Sequence, residues 1–595
     1  MCYTFFNEFL WVFFFLCLFG LVGGAFIFPF RRQLLYPIFA TPLSGLLVTA
    51  VGIATLYGFL GLSLGLSGVI TLTSGAVLTI IVLLINKPSH IEKHTLLWVF
   101  IFLWVFLMIF LVNATSIHFG GRGFLFMDGS DQLGYAQLAD WINAHLASHP
   151  PTLSQEKPYE SWPNAMFSFD ARFGSFYLLA LISWIEHQSG MFSYDSATTV
   201  VLISGILGVA AVFSRDKKTF FLLVIGLMIS QWYPLSRSGY LGKILCYPTL
   251  FFLLGLFFAT CQDKQRGFFS LSTLVIFMIA AATVYPGRGI ALLFFIPAGL
   301  YCFSECLFNR KILATNKKSI EEMASVLLIL AMLILLAIGV SGSLSRPANL
   351  AVNNIPQQSV HWPILWQQLF EIRTIPGRTP FPPHMDAWVF GLSLLLILIA
   401  SLIAIKKRNA LSVSLLLGFP LFCVLLWFLG QNWIAFQLIG IPYPSVLIGM
   451  SVLYGVSLPR KHRKLTVILL AMIVVTVLIR IPKYLSSVER YTGAEVIPTL
   501  EYSQSEINTL AQHIGNQPVI VTMNDVMYAL PILVEFGRRD MKLEWTPAAW
   551  KAIVGYQPWP APKIKPASLY LIDWKDTKSG CALIYRTRQY QLVRC

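Results

Sequence analysis

Asp128 and Asp131 stand in the stretch FLFMDGSDQLGYAQLADWINAH, residues 124–145, and Tyr135 and Ala139 follow Asp131 at intervals of four. Two carboxylates three residues apart, with a tyrosine close by, can take a proton from an attacking hydroxyl, orient an acceptor or hold a divalent ion. Steps of four residues stack on one face of a helix, so Asp131, Tyr135 and Ala139 form a single stripe if a helix begins just beyond Asp-Gly-Ser. A structural role competes with the chemical one. Asp128 or Ser130 is a normal N-cap, and Asp131 is a normal first-turn acid favoured by the helix dipole.

The second group of candidates is cationic. YPLSRSGYLGK (233–243) offers Arg237, Tyr240 and Lys243, and YPGRG (285–289) offers Tyr285 and Arg288. Segment 343–386 adds Arg346, Arg373 and Arg378, with His361, His384 and Asp386. The guanidinium fork suits phosphate, although any one of these side chains can simply snorkel to lipid headgroups. As a group they fit phosphate recognition. Tyr240, Tyr285 and the tryptophans between 361 and 388 suit sugar stacking, and suit an interfacial aromatic belt better.

The elements that must position these residues are membrane helices. The 595-residue chain is 56% hydrophobic and only 12% charged, with mean hydropathy +0.70, whereas soluble domains carry about 25% charged residues. About fourteen apolar runs are near the ~20 residues that cross a bilayer. They fall near 4–29, 36–62, 66–86, 95–114, 196–214, 219–235, 244–261, 268–284, 288–305, 322–342, 387–405, 410–430, 437–457 and 465–482. The first lacks a basic leader and a clean cleavage site, so it reads as a retained helix. The net charge of +16 collects in short loops such as RR (31–32), RDKK (215–218), RKILATNKK (310–318), KKR (406–408) and RKHRK (460–464). That is the positive-inside distribution, and no basic face for nucleic acid is assembled. Counting from either end puts 115–172, 343–386 and the tail after 484 on the far side, provided that FGSFYLLALISWIEHQ (173–188) does not cross. That stretch is expected to lie on the outer surface as an interfacial helix.

The tail has a different texture. SEINTLAQHI is helical in pattern, while PVIVTM, SLYLID, CALIYRT and YQLVRC are strand-like, which predicts a small α/β domain over 484–595. Cys581 and Cys595 flank a hairpin symmetrically and would face each other within disulfide reach, in a compartment where oxidation persists. The other cysteines lie in or beside spans, and no Cys/His spacing forms a metal site.

DQLGYAQLA, with Asp131, Tyr135 and Ala139, resembles the first extracytoplasmic loop of the GT-C superfamily of integral-membrane glycosyltransferases. Those proteins often carry Asp-Glu followed by Tyr and Ala at this spacing. Here Gln132 replaces the second acid and Asp128 stands three residues upstream, so the choice between Asp131 and Asp128 as base stays open, with Asp131 first. The resemblance extends in layout over 95–595 but in motif over about a dozen residues, and three spans before 95 are extra. It implies N-terminal helices over 1–94, a catalytic module over 95–483 with outer loops 115–195 and 343–386, and an exported tail domain. It also implies a bacterial inner-membrane enzyme whose active site faces the periplasm or exterior. The sugar (arabinose, aminoarabinose, mannose or another hexose) would come from a polyprenyl-phosphate carrier. The acceptor would be a glycolipid such as lipid A, a polysaccharide or an exported protein such as pilin. No organic cofactor is implied; a divalent cation on the acids is compatible. Two other readings share this layout: a lipid-linked glycan polymerase or ligase, whose late loop is rich in Arg and His, and a flippase. Ion-coupled transport fits poorly, because the spans hold almost no ionisable residue away from their ends; Glu8 lies near the start of the first.

Overall fold

A computed structural model of the protein describes residues 2–85, 95–112, 123–126, 131–149, 173–214, 216–229, 241–262, 268–284, 500–523, 525–554, 565–576 and 578–595, with a few isolated positions between them. The apolar runs form helices because a chain without water must satisfy its amides internally. In order they are α1 (Cys2–Ile27), α2 (Pro37–Ile53, prolonged by a π turn at Ala54–Phe59), α3 (Leu64–Ile85) and α4 (Thr95–Val112). Strand β1 (Gly123–Phe126) and helices α5 (Asp131–Ala144) and α6 (Phe173–Glu186) follow. Then come α7 (Tyr194–Phe213), α8 (Lys217–Ile229), α9 (Leu241–Gln262) and α10 (Phe268–Val284). Among the described residues four helices are long and apolar enough to cross a membrane: Phe6–Phe30, Pro37–Phe59, Leu64–Ile85 and Tyr194–Phe213. The spans expected from 288 onward lie almost wholly outside the described residues.

Packing sorts these helices into inside and outside. Helix α7 is buried along nearly its whole length, whereas α3 and α4 expose Ile81, Leu84, Phe102 and Leu103. An apolar face of that kind suits lipid. At the α1–α2 crossing the backbones nearly touch: a Cβ on Gly45 would sit 1.8 Å from the Phe19 carbonyl oxygen. Close backbone approach through small residues is how helices associate where lipid removes the hydrophobic drive.

The two ends of the bundle differ in charge. Tyr36 and Phe39 pack on Phe220 (5.0 and 5.2 Å), and Phe39 packs on Trp98 (5.2 Å). The loop of Arg31 and Arg32 therefore shares one end with Lys217 and the start of α4. At the opposite end the Tyr57 hydroxyl donates to the His145 carbonyl (3.1 Å) and the Tyr57 ring meets Tyr177 (5.6 Å). Helices α5 and α6 thus sit at the end away from the basic loops. Helix α6 has only 14 residues, fewer than the ~20 that span a bilayer, and it is not the surface helix expected. Phe176 to Ser183 are buried, and Trp184 and Leu181 lie against Gly65 and Gly68 of α3.

The tail forms β2 (Leu500–Ser503), α11 (Gln504–Ile514), β3 (Val519–Val521), α12 (Val526–Arg538), β4 (Leu543–Trp545), α13 (Pro547–Val554), β5 (Leu569–Asp573), β6 (Ala582–Arg586) and β7 (Tyr590–Arg594). Five strands make a sheet of order β4-β3-β5-β7-β6, with β3 parallel to both neighbours and the β6–β7 hairpin antiparallel. A disulfide joins Cys581 to Cys595 across that hairpin. Strand β2 belongs elsewhere. It pairs antiparallel with β1, Phe124 opposite Tyr502, so a ribbon ties the loop before α5 to the tail.

Candidate functional site

Asp131 is the first residue of α5, so its backbone lies at the positive end of that helix, where a carboxylate is favoured. Residues 127–130, with Asp128, lie outside the described residues. From Gln132 to Ile142 the helix is buried on every side. The residue in the place of the second acid, Gln132, is therefore an interior one.

Tyr135, one turn after Asp131, is only 1% exposed. Its ring packs on Phe176 (4.6 Å), and its hydroxyl accepts the Gly242 N–H (3.0 Å). The Tyr194 hydroxyl accepts the Leu241 N–H (3.3 Å). Two tyrosines therefore satisfy the first amides of α9, which would otherwise lack partners. This fixes the start of α9 against α5 and brings the backbone of Lys243, in the first turn of α9, beside the Asp131 helix. With those amides occupied, an anion here would be met by side chains rather than by the helix end. Arg237 and Tyr240, just before α9, lie outside the described residues. So do Tyr285, Arg288, Arg346, His361, Arg373, Arg378, His384 and Asp386; Val284, at the end of α10, is buried. The structure thus brings Tyr135, one turn after Asp131, to the first turn of α9, in which Lys243 stands.

A second cluster, absent from the sequence reading, lies two to three turns further along α5. The side chain of Asp140 is 2% exposed. Its Oδ1 accepts the Gly190 N–H (2.7 Å), and its Oδ2 is 3.8 Å from Nε of Arg538 on α12. Gly190 is glycine for a reason of space: a Cβ there would lie 2.7 Å from the Ala136 carbonyl oxygen. Arg538 also meets Glu535 (3.3 Å), as does Arg539 (3.3 Å), which reaches Asn508 at 2.6 Å as well. The Tyr159 ring lies against Gly537, and its carbonyl accepts from Gln137. Gln504 donates to Gln188 nearby. Burial pushes the Asp140 carboxyl up to about 8; Arg538 pulls it down, Glu535 pushes it up and the Gly190 amide pulls it down. Burial also lifts the Tyr159 hydroxyl well above its usual range, with the Asp140 and Glu535 charges adding to the rise and Arg538 opposing it. For Arg538 burial acts downward, but Glu535 and Asp140 outweigh it, so the guanidinium stays charged. No signal for Asp140 stood in the sequence: Gln137, Asp140 and Asn143 follow at intervals of three, the pattern of an ordinary solvated helix face.

Among the described residues no group of three or more His, Cys, Asp or Glu could hold a metal ion. No family model, curated protein or solved structure matches the chain.

Proposed function

We propose that the protein is a polytopic membrane glycosyltransferase that moves a sugar from a polyprenyl-phosphate carrier to an extracytoplasmic acceptor, glycolipid, polysaccharide or exported protein. The full chain would cross the bilayer about fourteen times, with the basic loops inside and α5 and the tail outside. The observation that carries the reading is the junction at the start of α5. Asp131 opens that helix, and Tyr135 one turn on is bound to α9 beside Lys243. In this reading a base and a cation would stand at the end of the bundle away from Arg31, Arg32 and Lys217.

In this reading the acceptor hydroxyl oxygen attacks the anomeric carbon. The bond from that carbon to the phosphate oxygen breaks, and the lipid phosphate leaves with the electron pair. Asp131, or Asp128 in its place, takes the acceptor proton. Lys243, with Arg237 and Arg288 from the neighbouring segments, would stabilise charge on the departing phosphate.

The test compares surface glycans and glycoproteins by mass spectrometry with and without the gene, and with Asp131→Asn. Loss of one glycoform in both, with the variant still inserted and folded, is the expected result. Unchanged glycoforms on deletion would end the transferase reading, and an active Asn variant would move the base to Asp128. Arg288→Ala should weaken lipid-donor binding more than acceptor binding; equal effects would count against a phosphate role.

One observation favours a second reading, a lipid-glycan flippase. Glu8, within α1, is 2% exposed and accepts a hydrogen bond from Ser196 (3.0 Å), and buried acids within spans are often functional. Loss of lipid-sugar translocation in Glu8→Gln, with sugar transfer intact, would support it.

A further inference from the structure

Two adjacent parallel strands of the tail sheet part at their carboxyl ends. From β3 the chain turns through α12 to β4 on one side, and from β5 it passes to the β6–β7 hairpin on the other. In open α/β sheets such a switch point leaves a crevice in which ligands bind. Asp525 follows β3, Tyr528 stands in the first turn of α12, Asp573 ends β5 and Trp574 follows it.

The side chains at this edge have a particular chemistry. Trp574 is 37% exposed, whereas Trp545, Trp550, Tyr502, Tyr528 and Tyr590 are all buried. Its backbone is pinned, the amide donating to the Gln589 carbonyl (3.1 Å) and its own carbonyl accepting from Gln591 (2.6 Å). Burial lifts the Tyr528 hydroxyl above its usual range, with Trp574 opposing the rise and the nearby Asp573 and Asp525 charges adding to it. Asp573 Oδ1 accepts the Lys575 N–H (3.0 Å), and Lys575 Nζ is 5.5 Å from the Trp574 ring. A pinned, half-exposed indole beside two carboxylates and one ammonium offers a flat apolar face edged by both acceptors and donors. Phosphate is disfavoured by the two acids. A ring of C–H bonds carrying hydroxyls matches both features.

We propose that this crevice binds a saccharide, with Trp574 as the stacking platform and Asp525 and Asp573 accepting from sugar hydroxyls. Its role, holding the glycan part of the acceptor, rests on the transferase reading; saccharide binding itself does not. The position suits that role. Tyr590, opposite Asp573 in the sheet, stacks on Tyr502 of β2 (5.9 Å), and β2 pairs with β1, which ends five residues before Asp131.

The test is saturation-transfer NMR on the full-length chain in lipid nanodiscs. The probes are methyl α-D-mannopyranoside, methyl β-D-galactopyranoside and N-acetylglucosamine. At least one should receive saturation at its ring protons. Trp574→Ala should abolish that signal and Trp574→Phe retain it, while Asp525→Asn should weaken binding about tenfold, the worth of one charged hydrogen bond. No transfer to any probe, or equal transfer in Trp574→Ala, would overturn the site. Asp131→Asn separates the two readings, because it should lose sugar transfer and keep the saccharide signal. If the wild type binds saccharide but transfers no sugar, the transferase reading fails and the site stands.

Discussion

Asp140 should make the docking of the tail on the bundle pH-dependent, and Asp140→Asn should remove that dependence. The carboxyl has a free value of 3.8 and is pushed up to about 8 where α12 packs on α5. The docked state therefore binds the proton more tightly than the undocked one. Docking stability from this group is full below about pH 4, falls through the range up to about 8, and is flat above it. At pH 7 the interval of about three units is worth about 4 kcal/mol, at 1.36 kcal/mol per unit. Arg538 opposes the trend, but it is 3.8 Å away and its side chain is 36% exposed, so solvent screens much of its attraction. Burial of the acid wins.

Hydrogen exchange of the β1–β2 amides, with the full chain in nanodiscs between pH 5 and 8, reads this docking directly. Corrected for the intrinsic rate, wild-type protection should fall up to tenfold per pH unit, the slope of one proton. The Asn variant keeps an oxygen for the Gly190 N–H and carries no charge, so its protection should be level. The opposite slope in the wild type would mean that the Arg538 pair outweighs burial. The same slope in both proteins would mean that Asp140 is not the titrating group. Either result refutes the argument.

Three further perturbations follow from the packing. Tyr135→Phe deprives the buried Gly242 N–H of its acceptor and should cost about 1–3 kcal/mol, seen as a lower melting temperature with insertion unchanged. Gly45→Val should prevent the α1–α2 crossing, since even one methyl would fall 1.8 Å from a backbone oxygen; failure to obtain monodisperse protein is the readout. Cys581→Ser opens a loop of sequence separation 14, which should cost the tail about 3 kcal/mol in the chain-entropy account, measured as earlier denaturant exposure of β6 and β7.

The residues differ in how far their neighbours could be read from the chain. The first spans were legible because a helix in lipid must be apolar along its own length, so 4–29 became Cys2–Ile27 with no help from the rest of the fold. The tail strands were legible for a similar reason, since alternation and the symmetric cysteines are local signals. What was not legible depends on partners far away in sequence. Four residues, Gly123–Phe126, are too few to announce a strand, and β2 lies hundreds of positions later. The spacing of Tyr135 gave its face on α5 but not what that face meets, which is the start of α9. Asp140 shows the same gap, its meaning arising only when Arg538 arrives from the tail. These late contacts share one consequence. Helix α5 is closed in by α6, by Gly190, by α9 and by α12, and the ribbon grips the loop just before Asp131. The tail is therefore no appendage: a chain ending before β2 would leave β1 unpaired and the Asp140 cluster open to water. The placement of the helix that Asp131 opens is thus set by residues from both ends of the sequence.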